Sequence, residues 1–135
     1  MSNSLPTAII TGASRGIGRA LAILLAQNNF QLSLVARNKG ELKDLAAEIT
    51  EIGHRPLYFD GDVSDEAFVI ETVEKTMHTF GHIDFMINNA GVEAGAKTYS
   101  MIDEDDWDYV FDTNLKSVWR LSKMFTQMVG ADKAR

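Results

Sequence analysis

Apolar residues along this chain alternate between two rhythms. Short runs, Thr7–Ile10, Gln31–Ala36, Pro56–Phe59 and Asp84–Ile87, are nearly continuous in apolar residues. Such runs predict strands buried on both faces, as in a parallel sheet. Between them, apolar residues recur every three or four positions. Gly16–Gln27 predicts a helix with Ile17, Ala20, Leu21, Leu24 and Leu25 at helical spacing. Lys39–Ile52 predicts a second, with Leu42, Leu45, Ala46 and Ile49 on one face and Gly53 as its C-cap. Asp65–Phe80 predicts a third, capped by Ser64 or Asp65 and followed by Gly81. Met101–Val129 reads as one long helix or a broken pair, with Trp107, Val110, Phe111, Leu115, Val118, Leu121, Met124, Phe125 and Met128 apolar. Asp103 and Asp106 resemble a capping box with a shorter acid.

Four strand–helix alternations predict β-α-β units, hence an α/β fold with a parallel sheet covered by helices on both faces. The chain has 135 residues, 45% of them hydrophobic, and only two prolines, which suits a single domain over 1–135 with its own core. Its net charge of −6 argues against a nucleic-acid partner, which needs clustered cations. A small anion held by backbone amides remains compatible with that charge. The lack of cysteine excludes disulfides, thiolate metal sites and a cysteine nucleophile. His54, His78 and His82 have no metal-ligand spacing and read as surface residues, so no metal site is expected. No apolar run approaches the roughly 20 residues of a membrane span. Met1–Pro6 has neither the basic region nor the apolar core of a leader. No membrane contact and a cytoplasmic location are the expectations.

The chemistry concentrates in T-G-A-S-R-G-I-G, Thr11–Gly18. Glycine permits a tight turn and lets backbone approach a ligand closely. The helix expected to open near Gly16 would present free N–H groups and its positive dipole end, a natural seat for a pyrophosphate. Glycines also cluster in turns that bind nothing. The position between a first strand and a first helix is what favours a nucleotide.

The loop resembles the cofactor loop of the short-chain dehydrogenase/reductases, whose G-x-x-x-G-x-G spacing it has. Three further matches follow in order: Asp62-Val63 beyond the third strand, Asn88-Asn89-Ala90-Gly91 after the fourth, and Asn114 in Asp112-Thr-Asn-Leu115. The motifs are closest to the 3-oxoacyl-carrier-protein-reductase-like branch. The resemblance spans essentially the whole chain. It implies a Rossmann-like, doubly wound parallel sheet, here truncated after four strands in the order 3-2-1-4 and the following long helix. It also implies cofactor contacts at Gly12, Ser14, Arg15, Gly16, Ile17 and Gly18, at Arg37 and Asn38, at Asp62 and Val63, and at Asn89, Ala90 and Gly91. In the family the acid matching Asp62 accepts from the adenine amino group; alternatively Asp62 caps the third helix. Asn88 and Asn89 have a parallel alternative in turn chemistry at a strand end.

An acid at the end of the second strand grips a ribose 2′-hydroxyl. This strand ends Val35-Ala36-Arg37-Asn38, and no carboxylate comes before Glu41. Arg37, helped by Arg15, would instead pair with a 2′-phosphate, which favours NADP(H) over NAD(H). The alternative is that Arg37 is a solvated charge.

The resemblance implies an oxidoreductase interconverting ketone and alcohol by hydride transfer. The family uses a Ser, and a Tyr with a Lys four residues on that lowers the phenol's pKa. Here Tyr58 is followed at that spacing by Asp62, Tyr99 by Asp103 and Tyr109 by Thr113. Asn114 is the one matching tetrad residue; as an alternative it is a buried helix Asn serving a kinked backbone. The domain is therefore expected to be incomplete on its C-terminal side. The function expected is that of a cofactor-binding part, with a non-catalytic dinucleotide-binding module or partner subunit as the alternative. The edge Phe85-Met86-Ile87 and the long helix would then lack neighbours, and self-association through either is expected.

Overall fold

The computed structural model describes residues 4–130. Four strands, β1 (Thr7–Thr11), β2 (Gln31–Ala36), β3 (Leu57–Asp60) and β4 (Phe85–Ile87), form one sheet in the order β3-β2-β1-β4. Every pairing is parallel, with Ile9 opposite Ser33 on one side and Met86 on the other. β3 sits one residue later than the expected run and ends on Asp60. The helices α1 (Gly16–Gln27), α2 (Lys39–Ile52) and α3 (Glu66–Phe80) follow β1, β2 and β3 in turn. The fold is the expected Rossmann-like arrangement.

Strand alternation divides the core between two faces. Ala8, Ile10, Leu32 and Leu34 pack with Ala22 and Ala26 of α1 and Leu42, Leu45 and Ile49 of α2. Ile9 and Val35 point to the other face, with Val69 and Val73 of α3, Val63 and Ile83. There the Ser33 and Thr76 hydroxyls share a buried 2.8 Å hydrogen bond.

α2 buries the expected stripe, Leu42, Leu45, Ala46 and Ile49; Asn38 caps it, and Gly53 ends it at φ 120°. Asp65 caps α3 by accepting from the Phe68 amide, and Gly81 closes it in the left-handed conformation. α1 corrects the expectation. Its buried stripe is Gly18, Ala22 and Ala26, while Ile17 is 78% exposed and Leu24 is also exposed. Small residues let the helix lie close to the sheet, which turns its larger apolar residues to the flanks.

The long helix does not begin at Met101. Tyr99–Met101 is a 3-10 turn, and α4 (Glu104–Phe111) starts behind Asp103 with the expected capping box, both of its bonds present. A π-helical segment, Asp112–Lys116, joins α4 to α5 (Ser117–Val129). The two alternatives of one helix or two thus resolve as a single helical run with a widened turn. Of the apolar positions expected to pack here, only Leu121 is fully buried. Trp107, Phe111, Leu115 and Met128 are exposed, as is Trp119.

Candidate functional site

A sheet of parallel strands brings all its carboxyl ends to one edge. β1 leads outward to β2 and β3, and the chain then returns to place β4 on the far side of β1. The crevice where that order reverses is where such sheets take ligands. A cavity of about 570 Å³ lies there, lined by residues that follow each of the four strands.

β1 runs into the glycine loop. Gly12 has φ +64°, and a Cβ on it would come within 2.9 Å of the Ala90 backbone. A Cβ on Gly18 would lie 2.2 Å from the Gly12 carbonyl oxygen. These two glycines therefore let the loop, α1 and the β4 end nest together. Gly16 differs: its φ is +58° and open space surrounds it. The Thr11 hydroxyl ties the layers by accepting from the Asn89 and Ala90 amides at 3.0 Å each. Asn89 returns a bond from Nδ2 to the Gly12 carbonyl at 3.1 Å. α2, α3 and α4 each carry a side-chain N-cap and an acid in the first turn, whereas α1 has neither. Its first-turn N–H groups and positive dipole end border the loop with no side-chain cap among the described residues.

The structure gathers Gly12, Ser14, Arg15, Arg37, Asn38, Asp62, Val63, Asn89, Ala90 and Gly91 around the cavity. Gly16, Ile17 and Gly18 do not line it: Gly18 is buried beneath Gly12, and Ile17 projects outward. Asn38 lines the cavity while its side chain caps α2, accepting from the Glu41 amide at 3.1 Å. Asp62 Oδ1 accepts from the Ser64 amide at 2.9 Å, so its cap lies within the turn before α3 while Asp65 caps the helix itself. Its other oxygen has no hydrogen bond among the described residues. Arg37 is exposed, yet not simply solvated, since Nη1 donates to the Tyr109 hydroxyl at 2.7 Å. Arg15 has no side-chain partner among the described residues.

Asn114 is exposed rather than buried, which corrects one of its two expected readings. Its side chain clasps the backbone of Val92, accepting from the amide at 2.7 Å and donating to the carbonyl at 2.8 Å. It lies within the π segment, so the clasp fixes the widened turn against the segment after β4. His82 is also not a free surface residue. It is half-buried, 3.0 Å from the Leu5 carbonyl and 3.2 Å from the Asp84 carboxylate, at the edge of the sheet opposite the cavity.

Ala36, Glu41, Gly61, Val92 and Thr113 line the cavity without having been foreseen. Glu41 was visible as the first carboxylate after β2; its helical position at the cleft was not. Thr113 sits beside Asn114 in the same motif, and only the π turn brings it to the wall. Gly61 is where a Cβ would strike the Phe68 ring at 2.4 Å.

A family model described as short chain dehydrogenase matches residues 6–135. The chain is 38% identical over 117 residues to the oxidoreductase UcpA of Salmonella typhimurium, covering 87% of this chain and 44% of that protein. It is 34% identical over 125 residues to the 3-oxoacyl-[acyl-carrier-protein] reductase FabG of Staphylococcus epidermidis, covering 91% and 51%. Among solved structures, an alcohol dehydrogenase from Thermococcus sibiricus complexed with 5-hydroxy-NADP superposes with a TM-score of 0.84 at 36% identity, covering 91% of this chain and 52% of that one. The chain spans about half the length of the curated relatives it matches.

Proposed function

We propose, from the premise that this chain belongs to the short-chain dehydrogenase family, that its cleft binds NADP(H) in preference to NAD(H) as the cofactor half of a ketone/alcohol oxidoreductase. The observation that carries this reading is the pairing at one cavity of an uncapped α1 N-terminus with Arg15 and Arg37, and of these with Asp62 on a different strand end. The amides of α1 would hold the pyrophosphate. Asp62 would accept from the adenine amino group through its free oxygen, with the Val63 backbone beside it. Asn89, Ala90 and Gly91 would line the adenosine ribose. Arg37, with Arg15, would pair with a 2′-phosphate. When bound, the nicotinamide would supply or accept the hydride. Solved relatives described as complexes with 5-hydroxy-NADP, with NADP and with NADH support a nicotinamide dinucleotide in the cleft.

The chain carries no Tyr-x-x-x-Lys. Within these residues Asn114 has a role in holding backbone. A second reading is a domain that binds the dinucleotide without turning it over. In both readings residues 1–135 act as one cofactor-binding unit, which we also expect to self-associate through β4 or the exposed face of α4 and α5.

Calorimetric titration with NADPH and NADH separates the outcomes. Saturable binding, tighter for NADPH, is expected. A chain shown to be folded by circular dichroism that binds neither would overturn the reading. Oxidation of an alcohol by the isolated chain would exclude the non-catalytic alternative.

A further inference from the structure

Arg37 is the first residue past β2, and a long exposed side chain there would sample many rotamers if unrestrained. Its Nη1 instead donates to the Tyr109 hydroxyl, 72 residues away in sequence. Tyr109 belongs to α4, one helical turn before the cavity-lining Thr113. Neither side chain has another hydrogen bond or ion pair among the described residues. The tether therefore joins the β2 end, where Arg37 lines the cavity, to α4 just before the segment that carries Thr113. Its partner atom is neutral. Glu41 lines the same cavity, yet among the described residues no ion pair joins Arg37 to it or to another acid. A guanidinium has five donors in a planar fork. With Nη1 held, the Nε and Nη2 edge remains for two oxygens of one phosphate.

We infer that Tyr109 is a positioning residue for cofactor discrimination: it holds Arg37 at the cleft mouth with one edge ready for a 2′-phosphate monoester. A side chain already restrained loses less freedom when the ligand arrives. The inference rests on the dinucleotide reading of the cleft, and its test keeps the two apart.

The chain is titrated calorimetrically with NADPH, NADH and adenosine 2′,5′-bisphosphate, as wild type, Tyr109→Phe, Arg37→Ala and the double variant. Tyr109→Phe removes one exposed hydroxyl and keeps the ring. It should weaken NADPH and the bisphosphate about three- to tenfold, the effect of leaving one rotamer-rich side chain to be immobilised on binding. NADH should change less than about twofold. In the Arg37→Ala background, Tyr109→Phe should add nothing, since its effect acts through Arg37. If the wild type binds NADPH and Tyr109→Phe leaves the NADPH/NADH ratio unchanged, or adds its full effect to Arg37→Ala, the inference is overturned and the dinucleotide reading stands. Wild-type chain that binds neither nucleotide overturns both.

Discussion

The two faces of the sheet are built to different standards. On one, α1 and α2 cover Ala8, Ile10, Leu32 and Leu34 completely, with Leu42, Leu45 and Ile49 as closing residues. On the other, α3 covers its share with Val69 and Val73, but α5 contributes one fully buried apolar residue, Leu121, among half-buried Met and Phe side chains. Trp107 and Phe111 stack on each other at 4.2 Å, both exposed. Exposed apolar patches of this kind mark surfaces that meet partners. The fully packed face lies under α1 and α2; the more exposed one is the surface we propose for self-association.

Core truncation should break this comparison or sharpen it. Leu45→Ala should cost about 4 kcal/mol, because packed neighbours surround it on all sides and cannot collapse into the space. Leu121→Ala should cost about 2 kcal/mol, since flexible Met124 and Phe125 can follow it inward. Urea unfolding measures both, and equal costs would erase the distinction between the faces. Gly18→Ala comes next, at about 2 kcal/mol, because its Cβ meets backbone that has nowhere to move. The same variant should lose nucleotide binding by titration.

Asp103→Ala removes the cap of α4 and should cost about 1 kcal/mol, visible as faster amide exchange in α4 alone. The neighbouring pair gives this region a pH dependence. The hydrogen bond from Lys97, with a further one from the Asp103 amide, holds Asp106 below the usual carboxylate range. The folded pKa is depressed, so its contribution is present above the ordinary value of 3.8 and fades as pH falls through the lowered one. Protection of the amides at the start of α4, relative to their intrinsic exchange rates, should fall below about pH 4 while that of α2 is unaffected. The smallest effect on stability is expected from Trp119→Ser on the exposed face of α5, within about 0.5 kcal/mol. Light scattering should show less self-association for that variant. An unchanged oligomeric state would remove this face from the list of partner surfaces.

How much was legible in the sequence depends on whether local and tertiary signals agree. α2 was readable residue by residue because its large apolar positions, its cap and Gly53 all point the same way. α1 was not, because its contact face is made of Gly18, Ala22 and Ala26, which carry little hydrophobic signal, while Ile17 and Leu24 announce a face that the fold leaves outside. The glycine loop declared itself through spacing. Glu41 and Val92 join the cavity only because parallel strands collect their ends at one edge, a fact of topology that no local window contains. The π turn at Asp112–Lys116 has no sequence rule of its own; the Asn114 clasp on Val92 spans 22 residues and is visible only once the chain has folded.

The place of β1 in the sheet also sets an order of events. Thr7 meets Gln31 across 24 residues, but its partner on the other side, Asp84, lies 77 residues away. Closing the longer loop costs more entropy and has to wait for more chain. A chain growing from its N-terminus would thus hold the central strand, half paired, until β4 is made. Of the four described strands, β4 is made last, and its arrival brings Asn89 and Ala90 to Thr11. The pairing that joins β4 to β1 is thus also the one that closes the cavity.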